Sequence, residues 1–265
     1  MTGAVKSSAR VVLAAAAHPD DIEFMMAGTL LHLRAAGLRI HLWNLANGNC
    51  GSVVLKREDI IALRWVEARA SAAIIGAELH PPLVDDFALY YEPALLARVA
   101  AVIRVVQPDI LLVPSPHDYM EDHQNACRLL VTAAFVRAMR NFTTDPPLAP
   151  WSGDTAVYHA LPYGLADSLG RPVRADLFVD IGPVLPQKRE MLAQHRSQKE
   201  WLDVSQGLDA YLQEMETMSA RVGRMSGRFA QAEGWRRHNH LGFCPAGHDP
   251  LRELLPDQCH VLAEE

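Results

Sequence analysis

The sequence predicts an α/β protein with a Rossmann-like, mostly parallel sheet and helices on both of its faces. Short apolar segments alternate with helical segments through the first half of the chain, and a glycine follows each of the first two helices. Two of the apolar segments end in loops that carry histidine and carboxylate side chains, at residues 17–23 and 116–123. Ligands of open α/β sheets bind beyond the carboxyl ends of the strands. We therefore expect a metal site at that edge of the sheet.

The first 140 residues predict a regular series of strands and helices. Apolar segments with small or β-branched residues favour strands, and these segments span residues 10–17, 39–46, 79–83 and 109–115. The predicted helices lie between and after them, over residues 22–36, 58–75, 93–106 and 124 to about 140. Gly37 and Gly76 suit the C-terminal ends of the first two helices, and Pro93 suits the first turn of the third.

The second half of the chain is less regular. Strands are predicted over residues 155–163 and 175–181, and helices over residues 183–195 and 208–225. The proline-containing segment 141–153 and the C-terminal tail are expected to run over the surface. We interpret residues 1–265 as a single domain, in which a regular βα core (residues 1–140) is extended by the further strands, helices and tail of residues 141–265.

Composition and charge argue against several classes of protein. The formal net charge is −6 and no basic run is present, which argues against a nucleic-acid binder. The apolar run before His18 has only seven residues, too few for a membrane span, and no usual cleavage site follows it. The four cysteines form no CxxC pair, so we interpret them as reduced thiols. These features together predict a cytoplasmic protein.

The two polar loops carry the candidate chemistry. The first, AHPDDIE at residues 17–23, offers His18, Asp20 and Asp21 directly after a strand. The second, PHDYMEDH at residues 116–123, offers further histidines and carboxylates after another strand. Zinc favours such ligands, and a catalytic zinc site keeps three protein ligands and a water. Taken alone, His18 could cap a helix and Asp20 could be an N-cap, but the pair of loops favours a metal site.

These motifs resemble those of the LmbE-like (PIG-L-type) zinc-dependent deacetylases, which cleave N-acetyl groups from amino sugars and related compounds. The resemblance covers most of the chain. It is carried by AHPDDIE at residues 17–23, Arg64-x-x-Glu67, the Asp122-His123 pair and His195-x-Ser197-Gln198. It implies a small-molecule substrate, such as an N-acetylated amino sugar, and an assembly larger than a monomer, such as a homo-oligomer.

The resemblance also implies roles for individual residues. One zinc ion per chain would have three ligands: His18, Asp21 and His123. Asp20 matches the family's general base, and Asp122 matches an orienting carboxylate. Arg64 matches a substrate contact near the metal, although it could instead pair with Glu67 at helical spacing. Another divalent ion, such as iron, could replace zinc.

One position departs from the family pattern. Members usually carry His-Pro-Asp-His, whose first histidine stabilises the oxyanion, whereas this chain has Met120 there and Glu121 in place of the proline. Methionine cannot donate a hydrogen bond. His117 could reach the same place as a substrate-binding group, His238 or His240 could do so, or the reaction differs.

Three functions therefore stay open. The first is a hydrolase that removes an N-acetyl group from an amino sugar or related conjugate, with zinc-activated water and Asp20 as general base. The second is a zinc-dependent hydratase or lyase acting on a small carboxylic acid. The third is a non-catalytic module that binds a sugar or nucleotide, but the sequence has no GxGxxG or P-loop pattern. Segment 235–240, polar and aromatic, is interpreted as a solvated tail or as a lid near the pocket.

Overall fold

The structure, a computed structural model, describes residues 10–198 and 210–262. Eight strands lie in these ranges: β1 (Val11–Ala16), β2 (Arg39–Asn44), β3 (Glu78–His80), β4 (Ile110–Val113), β5 (Ala156–Ala160), β6 (Leu177–Asp180), β7 (Ala232–Arg237) and β8 (Cys259–Val261). They form one mixed sheet in the order β3-β2-β1-β4-β5-β7-β6-β8. Neighbours from β3 to β5 are parallel, and those from β5 to β8 are antiparallel. The predicted Rossmann-like α/β fold is confirmed.

Helices cover the sheet and connect its strands. They are α1 (Asp21–Met25), α2 (Ala27–Ala35), α3 (Arg57–Ile75), α4 (Pro93–Val106), α5 (Glu121–Phe135), α6 (Leu185–Leu192), α7 (Ala210–Met225) and α8 (Pro250–Leu254). Short 3-10 turns occupy Val136–Ala138, Tyr163–Leu165 and Gly182–Val184. Within the two described ranges, every helix is too short or too polar to cross a lipid bilayer.

The helix ends agree with the sequence in some places and differ in others. Gly37 and Gly76 take positive φ angles of 89° and 65° just past α2 and α3, as the predicted helix ends require. The single helix predicted over residues 22–36 is instead divided at Met26, whose φ of −132° is not helical. Residues 208–209, the predicted start of the last long helix, lie outside the described residues.

The central strand β1 positions the two polar loops. All six of its residues are buried. Leu13 and Ala15 pack with residues of α4 and α5, and Val12 and Ala14 pack with residues of α2 and α3 on the opposite face. Apolar side chains on both faces are what a central parallel strand needs. Because β1 and β4 are parallel neighbours, the loops that follow them leave the sheet on the same side, at the carboxyl ends of the strands.

Strand β7 corrects the interpretation of segment 235–240 as a solvated tail or lid. Trp235 is fully buried in the sheet, and its Nε1 donates a hydrogen bond to Thr29 Oγ1 at 2.9 Å. The sequence of this strand contains charged residues, which is why it is not predicted as a buried strand. Inside the protein the charge of Glu233 is paired with Lys188 Nζ at 2.7 Å. The C-terminal tail, expected to run over the surface, also contributes regular structure, namely α8 and the edge strand β8.

We expect Gly28→Ala to destabilise the fold by about 1–3 kcal/mol, because a buried site would be overpacked. A Cβ at Gly28 would lie 2.8 Å from Ile181 Cβ and 3.0 Å from Glu233 Oε1. Ile181 is fully buried, so it has no room to move away. The measurement is urea unfolding, with Gly247→Ala as control because a Cβ there meets nothing within 4 Å. Equal losses in the two variants would contradict the packing argument.

Candidate active site

Three of the predicted site residues come together beyond the ends of β1 and β4. His18 Nδ1 lies 3.7 Å from Asp21 Oδ2, and His123 Nε2 lies 3.5 Å from the same oxygen. One ligand atom from each of the three residues lies within 4.8 Å of the others. His18 and Asp21 come from the loop after β1 and the start of α1, and His123 comes from the first turn of α5. Two imidazoles and a carboxylate in this arrangement are suited to a divalent cation.

Two further carboxylates hold the histidines from behind. His18 Nε2 lies 3.0 Å from Asp122 Oδ2, and His123 Nδ1 lies 3.0 Å from Asp118 Oδ1. Each imidazole therefore turns its other nitrogen toward Asp21. A ring that donates its second N–H to a carboxylate in this way has a fixed tautomer and orientation, as metal-binding histidines usually do. Asp118 has no role assigned from the sequence, where it is one of several polar residues in a loop.

The charges of this cluster favour a cation at its centre. Burial alone would lower the pKa of His18, but the carboxylates of Asp122 and Asp21 outweigh it and raise this pKa to about 10. Burial alone would also lower the pKa of His123, but the carboxylates of Asp21 and Asp118 outweigh burial and raise this pKa. A carboxylate-rich pocket that raises the pKa of two imidazoles is also a favourable place for a divalent ion.

Asp20 lies beside the cluster in an unusual backbone conformation. Its φ of 110° is in the left-handed region, which non-glycine residues rarely adopt outside functional sites. Its side chain makes no bond that caps α1. Instead Oδ1 lies 3.3 Å from Arg64 Nη2, and Oδ2 accepts a hydrogen bond from the Tyr211 hydroxyl at 2.7 Å. Burial, partly offset by Arg64, raises the pKa of Asp20.

Arg64 is buried against the backbone of the first polar loop. Besides Asp20, its guanidinium donates a hydrogen bond to the Pro19 carbonyl. The sequence also allowed Arg64 to pair with Glu67. In the structure Glu67 instead accepts hydrogen bonds from the Ser197 backbone N–H and hydroxyl at 2.8 and 2.7 Å. The side chain of Arg64 therefore supports Asp20 and also reaches the wall of the cavity above it.

A cavity of about 440 Å³ opens over the cluster. It is lined by His18, Asp20, Asp21 and His123 together with larger apolar and aromatic side chains, Phe24, Phe87, Tyr119, Met120, Tyr163 and Tyr211. Phe87, Tyr119 and Tyr163 are partly exposed. An apolar, aromatic wall around a few polar groups is typical of a small-molecule site. Tyr163 and Tyr211 were missed from the sequence because they lie far along the chain from either polar loop.

The structure does not bring the three candidate replacements for the missing histidine to this cavity. His117 is exposed. It ends a turn in which the Ser115 hydroxyl donates a hydrogen bond to the His117 carbonyl and accepts one from the His117 backbone N–H. His238 Nδ1 lies 2.9 Å from His159 Nε2, outside the cavity wall. His240 is also absent from the part of the wall that the described residues form. Met120 itself does line the cavity.

Comparisons with known proteins find similar sequences and a similar fold. Residues 13–135 match the PIG-L family, described as GlcNAc-PI de-N-acetylase. Diacetylchitobiose deacetylase of Thermococcus kodakarensis is 27% identical over 244 residues, which cover 89% of this chain and 87% of that protein. A 4-oxalmesaconate hydratase of Pseudomonas putida is 28% identical over 184 residues, which cover 66% of this chain and 69% of that protein.

A solved structure shares the fold. The N,N'-diacetylchitobiose deacetylase of Pyrococcus horikoshii, in complex with its inhibitor MPG, superposes with a TM-score of 0.74 and 22% identity. The match covers 88% of this chain and 85% of that chain. Family and relatives together point to an enzyme, a deacetylase. The resemblance read from the motifs is confirmed: residues 13–135 of this chain match the model of the PIG-L (LmbE-like) family.

Proposed function

We propose that this protein is a zinc-dependent N-deacetylase that acts on an N-acetylated amino sugar or a related small conjugate. The observation that carries the proposal is the grouping of His18, Asp21 and His123 next to Asp20 in the lining of one cavity. Relatives that deacetylate diacetylchitobiose support the choice of an acetylated sugar. The aromatic cavity walls also suit a sugar ring, because aromatic rings offer a broad apolar face.

The residues fit a single zinc ion. We propose His18 Nδ1, His123 Nε2 and a carboxylate oxygen of Asp21 as its ligands, with Asp122 and Asp118 orienting the two imidazoles. Zinc, when bound, supplies a Lewis acid that polarises the acetyl carbonyl and acidifies a water molecule. This ligand set leaves room for that chemistry, since three protein ligands keep further positions open.

Asp20 is proposed as the general base and then the general acid. Its carboxylate takes one proton from the water that attacks the amide carbonyl carbon. When the C–N bond breaks, Asp20 returns that proton to the departing amine, so that the products are acetate and a free amino group. Tyr211 and Arg64 hold one oxygen each, which fixes the orientation of the carboxylate in the cavity. Arg64 also reaches the wall, and we propose that it contacts the substrate there.

Acetate release tests this proposal directly. We expect the zinc-loaded protein to release acetate and free amine in equal amounts from a panel that includes N-acetylglucosamine and diacetylchitobiose. Treatment with a chelator should abolish release, and added zinc should restore it. A protein that holds zinc and releases no acetate from any member of the panel would contradict the proposed deacetylation.

A hydratase is the second candidate, because a hydratase is among the relatives and Met120 stands where the family's oxyanion histidine is expected. In that case the same cavity would bind a small unsaturated carboxylic acid and water would add across its double bond. The two reactions are separated by product, since only the deacetylase releases acetate. Loss of the absorbance of a conjugated carboxylic acid without acetate would favour the hydratase.

A further inference from the structure

A second group of metal-binding side chains lies on the edge of the sheet that β3 forms. His41 belongs to β2, and Glu78 and His80 belong to β3. The parallel register pairs His41 with Glu78, and Trp43 with His80. Paired residues and residues two apart in a strand point to the same face, so all four side chains share one face of the sheet. None of them lines the catalytic cavity.

The ligand atoms of this group are already close together. His41 Nδ1 lies 2.9 Å from His80 Nε2, and the two rings stack with their centroids 5.2 Å apart and an interplanar angle of 20°. His41 Nδ1 also lies 3.7 Å from Glu78 Oε2. One ligand atom from each residue lies within 4.8 Å of the others, as in the catalytic cluster.

The surroundings hold the imidazoles in place and leave one side open to water. His41 is only 8% exposed, whereas the Glu78 side chain is 70% exposed. Trp43 packs edge-on against His80, and its Nε1 bonds the Pro81 carbonyl at 3.0 Å, which fixes the chain next to His80. Two of the three donors therefore stand on a rigid support, which lowers the entropic cost of binding an ion.

Both imidazoles are suited to act as ligands at neutral pH. Burial lowers the pKa of His41, more than the carboxylate of Glu78 raises it, and Arg39 lowers it further. Burial also lowers the pKa of His80, and the neighbouring His41 adds to this effect. Two neutral rings share one proton across their 2.9 Å contact. The ring that donates this proton can change to its other neutral tautomer, in which the proton sits on the nitrogen that faces away from the partner ring. Both facing nitrogens, His41 Nδ1 and His80 Nε2, then have a free lone pair, and no proton is released.

We propose that His41, Glu78 and His80 form a second metal site, which binds a divalent transition metal of the zinc, nickel or copper class. Imidazole nitrogen with one carboxylate suits these ions better than magnesium or calcium. Water would complete the coordination on the open side. A bound ion would join the three-residue edge strand β3 to β2, and it would therefore stabilise the folded state. The positive charge of Arg39, which acts on His41, opposes binding.

Metal titration in a His18→Ala background tests the second site without relying on enzyme activity. Dialysed protein is titrated with ZnCl₂ and separately with NiCl₂, by calorimetry and by the rise in melting temperature. We expect His80→Gln in this background to weaken binding by at least about tenfold and to remove the melting-temperature rise. Glu78→Gln, a change of an exposed side chain, should weaken binding less, and Arg39→Gln should strengthen it.

The control is Glu190→Gln, which removes an exposed carboxylate elsewhere and should leave metal binding unchanged. Circular dichroism of each variant verifies that it is folded. Equal affinity and equal thermal stabilisation in the His80→Gln protein and its parent would overturn the proposed site. Because neither readout uses substrate, a failure here is distinct from a failure of the proposed deacetylation.

Discussion

Replacement of Asp20 by asparagine is expected to lower kcat for deacetylation by about 10²–10⁴-fold, the range that a positioned general base contributes. Asparagine has nearly the same shape and its amide oxygen can still accept the hydrogen bond from Tyr211. It cannot take a proton from water at neutral pH. Zinc content should be unchanged, because Asp20 is not among the proposed ligands. The measurement is steady-state acetate release together with zinc content.

Tyr211→Phe is the matched control for this variant. It keeps the Asp20 carboxylate and removes only the 2.7 Å hydrogen bond that helps to hold it. We expect a loss of several-fold in kcat rather than orders of magnitude, since a loosened base still works part of the time. Thermal unfolding of both variants separates a catalytic loss from a folding defect, because Asp20→Asn also leaves the buried Arg64 without its charge partner. Full turnover in folded Asp20→Asn would rule out Asp20 as the base.

The position of the cluster formed by His18, Asp21 and His123 could be predicted because it depends on a strong local pattern. An apolar strand that ends in ionisable residues is unusual, and here it occurs twice, before His18 and before the loop that ends at His123. Parallel pairing of β1 and β4 then brings the two loops to one edge of the sheet. Strand positions and the parallel topology of the sheet therefore indicate where the site lies, and the resemblance to the family is what singles out His18, Asp21 and His123 within the two loops.

The parts of the site that the sequence did not indicate depend on long-range packing. Tyr211 reaches Asp20 from 191 residues further along the chain, and nothing in the helix that carries it marks it as functional. His117 is the opposite case. It is close to His123 in the sequence, but the turn bonded to Ser115 leaves it exposed, and it is not among the described residues that line the cavity.

Strand β7 was overlooked for an electrostatic reason. Its segment AEGWRR contains three charged residues in six, which ordinarily argues against a buried strand. The charge of Glu233 is compensated by Lys188 and by the N–H groups of Gly28 and Thr29 at the start of α2. Partners from α2 and α6, both distant in sequence, are what make a charged strand stable inside the sheet, and a local pattern cannot reveal them.

Loss of the catalytic metal in His18→Ala is the second large effect that we expect. The variant removes one of three proposed ligands, so the first equivalent of zinc should no longer survive dialysis and acetate release should fall to background. Bound zinc is counted in protein that also carries His80→Gln, so that the proposed second site at His41, Glu78 and His80 does not contribute zinc.

Asp122→Asn provides the graded comparison, because it keeps His18 but weakens the 3.0 Å contact that orients the ring. Its zinc affinity should fall by about 10–100-fold, the usual cost of losing such a partner. If His18→Ala retains one tightly bound zinc while Asp122→Asn loses it, the ion is held by a different set of side chains.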